Sequence, residues 1–126
     1  MIKKNMLIKN LKNCPEIIGN DGSIIREILS PLRDNVAVNF SIAHAKVMPG
    51  EATLLHKLKS SEIYYILEGE GEMYIDGEKE IVREGHLIYI PPNSTQRIKN
   101  IGKNVLSFLC IVEPAWREEN EEILSK

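Results

Sequence analysis

The sequence has almost no excess of either charge and only two cysteines, and each feature excludes a class of protein. Its 126 residues include 16 lysines and arginines against 18 aspartates and glutamates, for a net charge of -2. This balance provides no basic surface for nucleic acid or an anionic membrane. Cys14 and Cys110 lie far apart in apolar stretches, which predicts two small buried thiols rather than a disulfide or a metal pair.

Long apolar runs are also missing, and none is long enough to span a bilayer. The basic start, residues 1–9, lacks the apolar core and cleavage site of a signal peptide. The sequence contains no nucleophile elbow, phosphate loop, CxxC or HExxH motif. We therefore expect a cytoplasmic protein with a small-molecule ligand and no membrane or nucleic-acid partner.

What the sequence does contain is a regular series of turn signals separating runs of alternating apolar and polar residues. Hydrophobic residues make up 43% and charged residues 27%, as in an ordinary globular chain. We expect residues 1–126 to form one all-β domain, a sandwich or a barrel. Hairpins are predicted at residues 19–22 and at Asp76-Gly77, because Asp-Gly and Asn-containing turns tolerate positive φ.

The longest predicted strand covers residues 36–48. One of its faces carries the small residues Ser41, Ala43 and Ala45, which would leave room beside it. Shorter strands are expected at 62–67, 72–75, 80–83, 86–90, 96–100 and 105–112. Residues 115–124 are expected to form a short polar helix docked by Trp116, Ile123 and Leu124. The acidic tail, residues 113–122, overlaps this segment and is expected on the solvated surface.

Two segments in the middle of the chain carry spaced glycines and polar residues. The first, residues 50–69, has Gly50, His56, Glu62 and Gly69 separated by five, five and six residues. The second, residues 85–100, has Gly85, Pro91, Asn93, Gln96 and Asn100. Together these segments resemble the paired motifs of the cupin superfamily of conserved-barrel proteins, with three replacements: Leu58 and Gln96 stand where the family has histidines, and Asn93 stands where it has glycine.

The resemblance implies a double-stranded β-helix, or jelly-roll barrel, that often dimerises through its sheets. In the family, two histidines and a glutamate of the first motif and a histidine of the second bind one divalent metal inside the barrel. Of those four positions, His56 and Glu62 keep the family residue type. The resemblance therefore carries only part of the metal site to this chain.

Considered by their chemistry alone, three of these residues still suit a metal. His56 offers a nitrogen, Glu62 a charged oxygen and Gln96 a neutral amide oxygen, a set that suits Mn, Fe, Co, Ni or Zn. Leu58 would form a dry wall of the same pocket. We predict a divalent metal on His56, Glu62 and Gln96, with a small polar metabolite, a sugar or a carboxylate, bound beside it.

Three other interpretations of the same residues stay open. His56 and Glu62 would also make a hydrogen-bonded interior pair that satisfies buried polarity. An enclosed Glu62 with a raised pKa, beside a histidine that titrates near neutrality, would instead move protons without a metal. The barrel would equally serve as a metal-free binding or sensing module without catalysis, so the sequence does not decide whether the protein is an enzyme.

The remaining candidates are single side chains. Tyr64 shares strand parity with Glu62, which places it either on the pocket or in the core, and Tyr89 is a similar case. His44 would either join the pocket as a replacement ligand or pack at an interface. His86, Arg97 and Lys99 are expected on the surface. A homodimer is predicted from the resemblance and from three apolar positions opposite in parity to Glu62, namely Ile63, Tyr65 and Leu67.

Overall fold

A computed structural model describes residues 5–125, so residues 1–4 of the predicted basic start lie outside the described range. Within it the chain is all β, with two short 3-10 helices at Leu11–Asn13 and Glu118–Asn120. None of its helices has the length and apolar character needed to cross a membrane. The strands are β1 (Glu16–Ile18), β2 (Ile24–Leu29), β3 (Ser41–Val47), β4 (His56–Leu58), β5 (Ser61–Glu68), β6 (Glu70–Ile75), β7 (Glu78–Arg83), β8 (Leu87–Ile90), β9 (Gln96–Asn100), β10 (Leu106–Glu113) and β11 (Glu121–Ile123).

The strands form two antiparallel sheets that face each other as a jelly-roll barrel. One sheet has the order β1-β2-β3-β10-β5-β8, and the other has the order β11-β4-β9-β6-β7. The two predicted hairpins are confirmed, with Ile18 paired to Ile24 and Ile75 paired to Glu78 across their turns. Asn93, which replaces a family glycine, has a φ of 64°, a value that asparagine tolerates better than most residues.

Two parts of the predicted secondary structure are wrong. Residues 36–40 are irregular and β3 starts only at Ser41, because backbone groups of the preceding segment bond elsewhere: Asn39 O accepts from Ala115 N at 2.8 Å. The predicted helix at 115–124 is instead a single 3-10 turn followed by β11. Glu121 and Ile123 of β11 pair with Leu58 and His56 of β4, so sheet pairing overrides the helical propensity of this glutamate-rich segment.

The barrel interior changes character along the strands. At one end, which we call the packed end, large apolar side chains from both sheets fill the space; they include Val47, Ile66, Met73, Val82, Ile98 and Leu106. Along the same strands, the register places Phe108 next, opposite Ala45 and Ile66. Beyond Phe108 lies what we call the open end, where β3, β5 and β10 contribute Ser41, Ala43, Glu62, Tyr64, Cys110 and Val112.

Candidate functional site

The open end of the barrel encloses a cavity of about 310 Å³. Its existence follows from side-chain size, because Ser41, Ala43 and Ala45 present short side chains on the inner face of β3. The predicted small-residue face of this strand is therefore confirmed. Leu58 also lies on the cavity wall, as the sequence predicted, and contributes an apolar surface beside His56.

His56 lies on β4 and is 2% exposed. Its Nδ1 is 2.6 Å from the backbone carbonyl oxygen of Leu54, and only a protonated Nδ1 makes a hydrogen bond with a carbonyl. In the neutral ring, Nε2 is then an acceptor, and it faces Oδ2 of Asp21 at 3.7 Å. That separation is too long for a hydrogen bond, so Nε2 is directed at the cavity without a bonded partner among the described residues.

Glu62, Gln96 and Tyr64 form a buried hydrogen-bonded chain. The Tyr64 hydroxyl donates to Gln96 Oε1 at 3.0 Å, and Gln96 Nε2 donates to Glu62 Oε1 at 3.0 Å. Glu62 and Tyr64 line the cavity. Of the two places predicted for Tyr64, the pocket and the core, it occupies both, since it also belongs to the core cluster. Gln96 is not one of the described residues that line the cavity. It lies behind Glu62 and Tyr64 and is 1% exposed. Its amide fixes the orientation of both neighbours.

Burial controls the protonation of these groups. Removal from water raises the pKa of Glu62 to about 8, with smaller contributions from Asp21 and Glu121, while the Gln96 hydrogen bond opposes the shift. With its pKa raised in this way, Glu62 is mostly a neutral acid near neutral pH. Burial also raises the pKa of Tyr64 and of the Cys110 thiol, so both remain protonated. Cys14 and Cys110 are free buried thiols, as predicted.

The three predicted metal donors do not converge on one point of the cavity. His56 Nε2 and Glu62 are on the wall, but the Gln96 oxygen accepts from Tyr64 and its amide group is turned toward Glu62. Within residues 5–125, no group of three His, Cys, Asp or Glu side chains is arranged to hold a metal ion. The donor set in this arrangement does not fit a divalent metal, and metal binding by His56, Glu62 and Gln96 stays a prediction.

Sequence reasoning missed two carboxylates at the mouth of the cavity. Asp21 belongs to the β1–β2 turn, where its Oδ1 accepts from the backbone N and hydroxyl of Ser23 at 3.0 and 2.6 Å. Glu121 belongs to β11, and its Oε1 accepts from Asn20 at 3.1 Å. Burial, and then the charge of Asp21, raise the pKa of Glu121. The expectation that the whole tail is solvated is therefore wrong for Glu121, because β11 pairs with β4 and turns this side chain inward.

The other single-residue candidates lie away from the cavity. His44 is on the opposite face of β3 from Ala43 and Ala45, so it does not join the pocket. Its Nδ1 is the only fully enclosed side-chain polar atom without a hydrogen bond in the described range, and burial lowers its pKa. Tyr89 is 56% exposed and does not line the cavity. His86, Arg97 and Lys99 are on the surface, as predicted.

The outer face of β5 carries the apolar positions from which a dimer was predicted. Tyr65 is 40% exposed, whereas Ile63 and Leu67 are half-buried. The homodimer stays a prediction, and light scattering at micromolar concentration would test it. A monomer under those conditions would contradict it.

Comparison with known proteins agrees with this architecture. The family model for the cupin domain matches residues 43–112, more than half of the chain, and the protein belongs to the cupin family. A protein of Methanocaldococcus jannaschii, the uncharacterized protein MJ1618, is 50% identical over 110 residues, covering 85% of this chain and 86% of the relative. An oxalate-binding protein of Thermotoga maritima is 34% identical over 71 residues, covering 56% of this chain and 59% of the relative.

Solved structures extend the likeness beyond the matched motifs. A Streptomyces nucleoside dehydratase superimposes with a TM-score of 0.76 over 96% of this chain and 92% of its own, at 17% identity. At that identity the likeness concerns the fold alone. The segments that supply Asp21 and Glu121 lie outside residues 43–112.

Proposed function

We propose that this cupin binds a small organic molecule in the cavity at the open end, without a metal, through His56 and Glu62. The observation that carries the proposal is the Tyr64–Gln96–Glu62 chain, in which each bond is 3.0 Å and each member is buried. Gln96 uses both ends of its amide to hold these neighbours, so it acts as a positioning residue, and its oxygen is bonded to Tyr64 rather than placed on the cavity wall. A mostly apolar cavity with a few fixed polar groups is the usual form of a small-molecule site.

The polar groups that such a ligand meets have defined roles. Glu62 is mostly protonated near neutral pH, so its free oxygen, Oε2, either donates or accepts a hydrogen bond from the ligand. His56 offers an acceptor at Nε2, since Nδ1 is engaged by the Leu54 carbonyl. An acid and a base facing the same ligand would also transfer protons, which extends the proposal from binding to metal-free acid–base chemistry.

The experiment compares ligand binding by chelator-treated protein and by a variant whose cavity is filled. A panel of polar metabolites is titrated into isotope-labelled wild type and into Ala43→Leu, and backbone amide signals are followed by NMR. We expect at least one metabolite to shift the signals of Glu62 and Tyr64 in metal-free wild type and not in Ala43→Leu. A panel that binds only after metal is restored, or not at all, would contradict the proposal.

A second candidate function is metal-assisted binding at the same place. It is favoured by the fact that His56 Nε2 and Glu62 Oε2 both lack a hydrogen-bond partner in the described range and line one cavity. For Gln96 to serve as a third ligand, its hydrogen bond with Tyr64 would have to break and Gln96 Oε1 would have to turn toward the cavity. Plasma mass spectrometry of protein purified without tag or chelator tests this candidate. About one equivalent in wild type, lost in His56→Ala and Glu62→Gln, would support it.

The name of the Thermotoga relative raises the question of oxalate as a ligand. The ionisable side chains on this cavity wall include four carboxyl groups, those of Asp21, Glu27, Glu62 and Glu121, against one guanidinium, that of Arg33. Glu62 is mostly neutral near neutral pH, which leaves three carboxylates. Arg33 already pairs with Glu27 at 2.7 Å. A dianion would therefore enter a field of its own sign, so metal-free binding of oxalate is disfavoured by charge.

A further inference from the structure

The mouth of the cavity contains two acceptor atoms that face each other without a donor between them. His56 Nδ1 is bonded to the Leu54 carbonyl at 2.6 Å, which makes Nε2 an acceptor in the neutral ring. Asp21 Oδ2 lies 3.7 Å from Nε2, and this oxygen has no hydrogen bond to any described residue. Neither atom is among the fully enclosed polar atoms of residues 5–125, so both face the cavity, where a ligand that brings donors would meet them.

A third polar group, deeper in the same cavity, independently indicates a ligand. Glu62 is 6% exposed, and only its Oε1 is bonded, to Gln96. Within residues 5–125, the only fully enclosed side-chain polar atom without a partner is His44 Nδ1. Glu62 Oε2 must therefore face open space, and the space that this side chain lines is the cavity.

The charges around these atoms favour a cation. Glu121 lines the mouth from β11 and is held by Asn20, while Asp21 is held by Ser23, so both carboxylates are fixed in place before any ligand arrives. Arg33 is the one permanent cation of the described wall, and Glu27 neutralises it at 2.7 Å. The rest of the wall is largely apolar, with Ile17, Ile25, Phe108, Val112 and Trp116 among its members.

We infer that the ligand is a small organic ammonium compound, whose charged head lies between Asp21, Glu121 and His56 and whose apolar body extends toward Phe108. An ammonium group has three donors and no acceptor, which matches the acceptor atoms that Asp21, Glu121 and His56 present at the mouth. The inference rests on the proposed binding function and adds the ligand class. Two fixed carboxylates in a half-buried mouth also attract a cation more strongly than they would in open water.

The test uses three probes with one apolar body and different heads: isopentylamine, isopentyl alcohol and isocaproate. Their affinities for metal-free wild type are measured by NMR titration near neutral pH. We expect the amine to bind about tenfold more tightly than the alcohol, a difference of about 1.4 kcal/mol, with isocaproate weakest. This preference is lost in Asp21→Asn and Glu121→Gln, each of which keeps its hydrogen-bonding shape but removes a charge.

Glu122→Gln is the matched control, because Glu122 is the neighbour of Glu121 on β11 but its side chain is exposed, near Lys57. It should keep the full preference for the amine.

Equal affinity for amine and alcohol, or tightest binding of isocaproate, would overturn the inference while leaving cavity binding intact. Absence of binding by all three would also overturn it, whereas the metabolite panel and Ala43→Leu decide the proposed function separately. Competition by Mn or Zn that displaces the amine completely would assign the mouth to a metal instead.

Discussion

The packed end and the open end of the barrel are made from the same strands but filled in different ways. At the packed end, Ile66, Ile98 and Leu106 are fully buried and leave no room for a ligand. A few residues further along the same strands, Ala43 and Glu62 take the places of large apolar side chains, and a cavity results. The difference shows that one sheet framework forms a close-packed core at one end and a cavity at the other, and that side-chain size separates the two.

The largest effect that this comparison predicts is on stability. Leu106→Ala should lower the free energy of unfolding by about 4 kcal/mol, because the neighbours of a fully buried leucine cannot close the hole. Leu58→Ala, on the cavity wall, should cost only about 2 kcal/mol, since the space beside it is already open. Urea unfolding measures both. Equal losses would mean that the two ends are packed alike.

The next effect concerns the pH dependence of stability. The Glu62 pKa rises from 4.5 to about 8 on folding, so the folded state holds this proton more tightly than the unfolded state. The stability that the protonated Glu62 carboxyl gives the folded state is complete below about pH 4.5 and is lost as pH rises through about 8. Above that pH, Glu62→Gln should be more stable than wild type by an amount on the order of 3 kcal/mol, less than the full shift because buried carboxylates relax toward water.

Urea unfolding of wild type and Glu62→Gln at about pH 5 and about pH 9 measures this difference. Glu80→Gln, on the exposed face of β7, is the control and should follow wild type at both values. If Glu62→Gln followed wild type as well, Glu62 would have an ordinary pKa and the open end would be better hydrated than its burial indicates.

A third prediction asks whether the open end can be turned into a metal site. Leu58 lies two residues from His56 on β4, and both side chains point into the barrel. Leu58→His adds an imidazole beside His56 and Glu62, so affinity for Ni or Zn should rise at least about tenfold, as the number of good donors increases from two to three. Calorimetry measures the affinity, and Leu58→Asn separates the effect of an imidazole from that of polarity. A wild type that already binds as tightly would favour the second candidate function.

The smallest effect concerns one hydrogen bond at the boundary between the two ends. Tyr64→Phe keeps the ring against Phe108, at 4.4 Å between centroids, but leaves Gln96 Oε1 without its donor. We expect a loss of about 1 kcal/mol of stability. Thermal unfolding measures it, with Tyr65→Phe on the exposed face of β5 as the control. An unchanged melting temperature would show that Gln96 finds another donor and is not held by Tyr64.

The sequence predicts an element of this fold well when the residues that determine its conformation lie within the element or next to it. Strands with clear alternation, such as β5 and β9, and hairpins with Asp-Gly turns were predicted close to their observed bounds, because their cues lie within a few residues. The segment at 36–40 and β11 were not, since their conformations depend on distant partners, Ala115 for the first and β4 for the second.

The same distinction applies to the site. His56, Glu62 and Tyr64 were found from motif spacing and strand parity, both of which can be read along the chain. Asp21 was interpreted as a turn residue and Glu121 as part of a solvated tail. The two residues are 100 positions apart, and nothing in the sequence near either one indicates that both lie at the mouth of one cavity. The hydrogen bond from Asn20 to Glu121 connects two segments that are distant in the sequence, and no local pattern predicts it.

The pairing of β11 with β4 has a practical and a biosynthetic consequence. When residues 1–112 have been synthesised, the whole matched cupin segment is present. One side of the cavity mouth is still missing, because it requires Glu121 on β11. Affinity for a ligand at this mouth would thus depend on whether synthesis has reached β11. For the same reason, a purification handle that separated β11 from β4 would remove Glu121 from the mouth.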